Sequence, residues 1–365
     1  MKISQMKLNS IHILSIITLL LFSCSSEVNE IEEDTIESTN SIYYPPVNSL
    51  NWETKSVSDL NWNANQIQPL LTFLEDKNTK GFIILHQGKI VIEEYFNNHS
   101  INSNWYWASA GKTLTAALAG IAQENGFMDI NNKVSEYLGN NWTSIPIEKE
   151  NLITTKHLLS MTSGLDDNLG DDISTTNLQY VADAGTRWAY HNVYLKTQDI
   201  VATAANTTWN NYFNTQLKNK IGMSGSWIPL NNLNVYWSNT RSMARFGLLI
   251  AANGKWENAQ IISKDFLNEA TSTSQNINKA YGYLWWLNGN DSYRLPQSQH
   301  EFQGTLITAA PNDMYAALGK NDQKIYIVPS KNIVIVRMGN SADNSNFALS
   351  NFDNELWTKI NLLIN

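Results

Sequence analysis

The chain has 365 residues, a formal net charge of −8 and 42% hydrophobic residues, with 13 Trp among them. That is ample material for the core of one large domain or two subdomains and for an aromatic cleft. The acidic balance gives no support to nucleic-acid binding through a basic face. Cys24 is the only cysteine, so a disulfide within the chain is excluded.

Taken in order, Lys2 and Lys7 precede an apolar run from Ile11 to Phe22 that only His12, Ser15 and Thr18 interrupt. The run is too short to span a bilayer comfortably and fits a secretory signal. It ends in Leu21-Phe22-Ser23-Cys24, which resembles the lipobox of a bacterial lipoprotein. The resemblance implies cleavage before Cys24, lipidation of that residue, and an exported protein anchored to the membrane of the cell envelope. Glu27, Glu30, Glu32, Glu33, Asp34 and Glu37 follow without a basic residue, and Tyr43-Tyr44-Pro45-Pro46 closes the stretch. This composition reads as an acidic disordered tether. The expected organisation is a signal over 1–23, a tether over 24–50 and a folded domain over 51–365.

Gln66 to Lys77 reads as a helix. Gly81 to Phe96 then reads as a hairpin, two β-rich runs joined around Gln87-Gly88. Trp107-Ala-Ser-Ala-Gly-Lys-Thr-Leu-Thr follows. From Ser109 the pattern is helical, with Leu114, Leu118 and Ile121 at helical spacing and Asn125-Gly126 as the stop. Ser109 and Lys112 lie about one turn apart and share a face. A hydroxyl becomes a useful nucleophile once something removes its proton, and a lysine held in an apolar site can accept one. Backbone N–H groups at a helix start favour an oxyanion beside Ser109. By itself the same pattern also fits a Ser helix cap with a solvated lysine. Gly111-Lys112-Thr113 ends like a phosphate-binding loop, but the first glycine of that motif would fall at Tyr106.

From Asn131 to about Lys264 the pattern is mostly helical with long loops. Strands are expected again at Gly282–Trp286, Met314–Leu318, Lys324–Val328 and Ile333–Met338, and a last helix at Asn351–Leu363. Strands at both ends with helices between them predict an α+β fold. One antiparallel sheet would draw on about 80–100 and 280–340, a helical lobe would occupy about 110–270, and a cleft would lie between. In Gly185-Thr-Arg-Trp-Ala-Tyr190-His191-Asn192, a Tyr and an Asn two apart on extended chain face one side. A phenol near an ammonium can be acidified into a base, and an Asn amide can bind a carbonyl and steady the lysine. A turn with a packed Tyr and a capping Asn is the other reading.

Together these motifs resemble the serine β-lactamase and penicillin-binding-protein superfamily, on its class C-like side. Ser109-x-x-Lys112 matches the first motif and Tyr190-x-Asn192 the second. Between them, His157-Leu-Leu-Ser-Met-Thr-Ser-Gly-Leu165 resembles a recurrent family segment. Ser242-Met-Ala-Arg-Phe-Gly-Leu248 and Tyr281-Gly-Tyr-Leu-Trp-Trp286 are further landmarks. The resemblance covers roughly 50–360 and implies a β-lactamase/transpeptidase-like fold and an acyl-enzyme on Ser109. Lys112 and Tyr190 would handle the proton, and Asn192 would hold substrate and lysine.

The third motif departs from the family's Lys-Thr-Gly or His-Thr-Gly. The stretch reads Ala316-Ala317-Leu318-Gly319-Lys320-Asn321-Asp322-Gln323, and either Lys320-Asn321-Asp322 or Gly319 can stand on it. With Gly319 on the motif glycine, Ala317 takes the cation's place. Gly319-x-x-x-Gln323 then resembles the esterase and 6-aminohexanoate-oligomer hydrolase branch. That alignment implies that Gly319, Lys320 and Gln323 serve the substrate and oxyanion, with the N–H groups of Lys320 and Ser109 forming the hole. Losing the cation weakens recognition of a substrate carboxylate, which favours a small ester, amide or oligopeptide-like substrate over β-lactams and D-alanyl termini. A β-lactamase or D,D-peptidase, and a non-catalytic envelope protein, are the alternatives. Trp105, Trp107 and Trp188 adjoin these positions, as acyl-pocket lining or as packing. His157, His191 and His300 lack metal-ligand spacing, and neither a metal nor a cofactor is expected. No Gly-x-Ser-x-Gly elbow of an α/β-hydrolase is present.

Overall fold

The computed structural model describes residues 41–343 and 348–365. The expected signal, Cys24 and most of the expected tether lie outside the described residues.

In chain order the main elements are helix α1 (Ile67–Asp76), strands β1 (Thr79–His86), β2 (Lys89–Tyr95) and β3 (Trp105–Tyr106), helices α2 (Lys112–Glu124) and α3 (Lys196–Ala204), strands β4 (Ser226–Leu230) and β5 (Leu233–Ser238), helix α4 (Thr240–Ala251), strands β6 (Trp286–Leu287), β7 (Tyr315–Gly319), β8 (Gln323–Val328) and β9 (Ile333–Gly339), and helix α5 (Asn351–Ile364). The principal sheet runs β2-β1-β9-β8-β7-β6 and is antiparallel throughout. The two chain ends thus build one sheet, and the fold is α+β.

Alternation along the strands sorts the faces. Ile325 and Val334 approach Gly247 of α4, where an added Cβ would sit 2.6 Å from Val334 Cγ1 and 3.1 Å from Ile325 Cγ2. The opposite parity carries Tyr326, whose ring meets Trp357 of α5 at 5.6 Å, while Phe73 of α1 stacks on Phe352 of α5. Helices therefore cover both faces. Every residue of α2 from Lys112 to Ala122 is buried, as expected of a helix apolar all round.

Three expectations change. The stretch expected to be helical with long loops contains a hairpin, β4–β5, which joins β3 in a separate three-stranded sheet. Its alternation is too short to register: only Trp227 of β4 is buried, opposite Tyr236 of β5. Gly282–Trp286 is a turn for most of its length. The Gly282 N–H donates to Trp285 O, Leu284 has φ 61°, and only Trp286–Leu287 pairs with β7. Residues 41–50, assigned above to the tether, pack on the folded body. Tyr43 N–H donates to Gln87 O at 3.0 Å, and Arg245 of α4 donates to the carbonyls of Pro45, Pro46 and Ser49.

Candidate active site

The chain enters the site through β3, where Trp107 locks the start of the turn. Its N–H donates to Tyr236 O at 2.8 Å and its indole to Ser238 Oγ at 2.7 Å, with the ring fully buried. Ala108 then takes φ 47°, a left-handed conformation that a residue with a Cβ resists. Ala108–Gly111 forms a 3₁₀ turn, so the helix proper begins at Lys112 and Ser109 stands on its lead-in. Thr113 Oγ1 ties back to Ala110 O at 2.8 Å.

Lys112 is 4% exposed, and its Nζ donates to Ser109 Oγ at 3.0 Å. The ammonium lies 4.9 Å from the ring centroid of Tyr190 and 4.4 Å from that of Tyr194. Burial pushes the Lys112 ammonium down to about 7, opposed by the more distant charge of Asp171. Ser109 also acts on the Tyr190 phenol, lowering its pKa against burial, so Ser109, Lys112 and Tyr190 form one interacting group. The acidified phenol expected for Tyr190 is not found. Burial raises Tyr190 well above the ordinary phenol range, and Tyr194 likewise. Tyr190 is half-buried, its ring stacked on Trp286 at 5.9 Å and beside Trp188 and Tyr281.

Asn192 was expected to steady the lysine. It opens a 3₁₀ turn, and its amide instead donates to the carboxylate of Asp171. Asp171 and Tyr194 belong to this neighbourhood and were missed from sequence. Tyr194 has no motif to mark it. Asp171 lies in an acidic loop whose register to Asn192 only folding sets.

Gly319 ends β7 directly against the nucleophile turn. A Cβ there would lie 2.5 Å from Trp107 O and 2.9 Å from Ala110 N. Only glycine permits that approach, as the alignment with Gly319 on the motif glycine requires. Asp322, the competing position, is fully buried and faces Lys324, Ser350 and the Ala342 N–H. Lys320 is exposed, and Asn321 and Asp322 adopt positive φ in the turn. Asn321 donates to Tyr106 Oη at 2.6 Å, and Arg337 of β9 donates to the carbonyls of Asn321 and Asp322. Gln323, expected to face substrate, is fully buried. Its amide donates to Asn321 O and Gly339 O and accepts from Gly339 N–H, so it holds the turn from behind. Trp107 and Trp188 are fully buried packing residues. Trp105 is half-buried, its indole on Gly339 O.

The model of the Beta-lactamase family matches residues 75–356. The chain belongs to the beta-lactamase family. Members of this fold family are serine hydrolases. An uncharacterized protein of Alkalihalophilus pseudofirmus is 26% identical over 308 residues, 73% of this chain and 85% of that one. Among solved structures, a Bacillus anthracis protein assigned as a 6-aminohexanoate-dimer hydrolase aligns with TM-score 0.67 and 18% identity, covering 88% of this chain and 89% of its own. EstCE1, a hydrolase with promiscuous acyltransferase activity, gives 0.62 and 12%, covering 85% and 99%. A penicillin-binding-protein homologue from Caulobacter crescentus gives 0.60 and 11%, covering 81% and 97%. At these identities the structural likenesses speak for the fold.

Proposed function

We propose that this beta-lactamase-family chain is a serine hydrolase that cleaves an ester or amide through an acyl-enzyme on Ser109. One observation carries the reading: a lysine 4% exposed, pushed down to about 7, sits 3.0 Å from a serine Oγ at the head of a buried helix. A neutral amine at that distance can take the hydroxyl proton as Oγ attacks a carbonyl carbon. The Ser109 and Lys320 N–H groups, held together by the contact of Gly319 with the nucleophile turn, would receive the developing oxyanion. The ammonium then returns its proton to the leaving oxygen or nitrogen, and water releases the acyl group. With its proton affinity raised, Tyr190 acts as a hydrogen-bond partner of Ser109 and relay donor, which leaves Lys112 as the base.

Ala317 brings no cation to the strand beside the site, which supports a substrate recognised without a carboxylate. Export and a lipid anchor at Cys24 complete the proposal and rest on the sequence alone.

The test is intact-mass spectrometry of residues 41–365 after a fluorophosphonate probe, beside Ser109→Ala. A single adduct on the wild type that is absent from the variant is expected. A folded wild type without an adduct would sink the proposal. A panel of esters, anilides and a chromogenic cephalosporin then separates esterase or amidase from β-lactamase activity.

A further inference from the structure

A cavity of about 230 Å³ lies between residues 47–50, residues 222–224 and the start of α4. It takes in none of the residues placed in the Ser109 site. Its polar lining comes from Ser224, Asn239, Arg241, Ser242 and Arg245, and no Asp or Glu lines it. A single water needs about 10–15 Å³ of such space, so the cavity admits a small solute.

The charge on this lining is unbalanced. Arg241 is answered by Glu93, whose carboxylate accepts from Nε and Nη2 at 2.7 Å each. Arg245 is 5% exposed and joins no ion pair among the described residues. Its Nη1 and Nη2 donate only to the neutral carbonyls of Pro45, Pro46, Ser49 and Ile221. The rings of Trp52 and Trp256 flank it at 5.1 and 5.7 Å. Burial first, and then the charge of Arg241, pull this guanidinium down to about 10, opposed by the Tyr43 phenol. Buried charges are ordinarily paired, and this one lacks its anion.

Donors are in surplus as well. Ser224 and Ser242 share one hydroxyl proton across 3.0 Å, and the Ser224 N–H already donates to Ser242 Oγ. The second hydroxyl proton and the Arg245 Nε–H meet no acceptor among the described residues. Asn239 Oδ1 is taken by the Ser242 N–H, which leaves its Nδ2 in the same position.

We propose that this cavity is an anion site that takes a phosphate group, free or on a small organic molecule, against Arg245. The proposal is independent of the reading of Ser109. A phosphate brings acceptor oxygens to the unfilled donors and a negative charge to the unanswered guanidinium, and charge-assisted bonds of this kind are the strong ones. Asn48 and Leu50 are exposed at the wall, so a solute can reach the cavity past them. Once bound, the anion holds residues 47–50 against α4.

The experiment titrates inorganic phosphate and glycerol 3-phosphate into the purified protein by calorimetry, with chloride at matched ionic strength as the control. One saturable site is expected, and saturating phosphate should raise the melting temperature by about 2–5 °C. Hydrogen exchange across 41–55 should slow on binding. Ser224 is exposed, so Ser224→Asp can bring a carboxylate to the cavity without disturbing the core. That variant should weaken phosphate by about tenfold or more, while neutral Ser224→Asn should keep the wild-type affinity within about threefold. Tighter glycerol 3-phosphate upholds the site and assigns an organic phosphate, and equal affinities uphold it for the free ion. No saturable binding, binding that Ser224→Asp leaves intact, or protection that appears only outside 41–55 overturns the inference.

Discussion

At the scale of single residues, the site is set by what burial does to two proton carriers. Lys112 and Tyr190 are both enclosed and both near Ser109, yet burial acts on them in opposite directions. The charged form is the penalised one, so the amine loses its proton more readily and the phenol keeps its own. The sign for catalysis follows. In the proposed mechanism neutral Lys112 is the active form, so kcat/KM for a neutral ester should rise with pH, reach half its maximum near 7 and then stay level. A limb rising near pH 10 instead would hand the base role to a tyrosine. Lys112→Arg, permanently charged, should lower kcat by about a thousandfold or more while the protein stays folded, as circular dichroism can verify. The sequence spacing placed Lys112 beside Ser109 correctly. It could not announce the direction of the Tyr190 shift, because that depends on Tyr281 and Trp286 arriving from a distant segment to enclose the phenol beside its neighbour Trp188.

At the scale of elements, one contact governs the geometry: β7 ends in a glycine against the 3₁₀ turn that holds Ser109. Gly319→Ala would push a methyl against Trp107 O, 2.5 Å away, and separate the strand from the nucleophile turn. We expect kcat/KM to fall by about a hundredfold, since small displacements of reacting groups cost that much. Unchanged kinetics with an intact fold would show that the strand end does not shape the site. The turn beyond is held by side chains facing away from the cleft. Gln323 reads in sequence like a substrate residue because it keeps a motif spacing, but spacing cannot say which face of β8 it occupies. Its amide is consumed by Asn321 and Gly339. Gln323→Ala should cost about 1–3 kcal/mol of stability, read from a denaturant midpoint, by leaving buried backbone groups unpaired.

At the scale of the whole molecule, a buried charge cluster closes the sheet against the last helix. Lys324 of β8 lies 3.1 Å from Asp322 and 2.9 Å from Asp353 of α5, all fully buried, and Tyr326 donates to Asp353 as well. Removing the cation strands two carboxylates, so Lys324→Met should destabilise by about 3–5 kcal/mol in equilibrium unfolding. A second long-range tie is Arg245, whose guanidinium spans the carbonyls of Pro45, Pro46, Ile221 and Ser49. Arg245→Ala should expose residues 41–50 to limited proteolysis while the rest of the body resists. By itself the sequence determined the family, the sheet built from both chain ends, the pairing of Ser109 with Lys112 and a glycine at 319 beside them. These are legible because apolar periodicity and fixed spacings along one helix or strand are local properties of the chain. The tertiary structure alone decided that Asn192 turns to Asp171, that Gln323 faces the interior, that 41–50 belongs to the folded body, and that 226–238 is a hairpin. The first three depend on groups remote in sequence, and the hairpin, though local, takes its place through pairing with β3; hydrogen bonding and burial choose among partners only once the chain has packed.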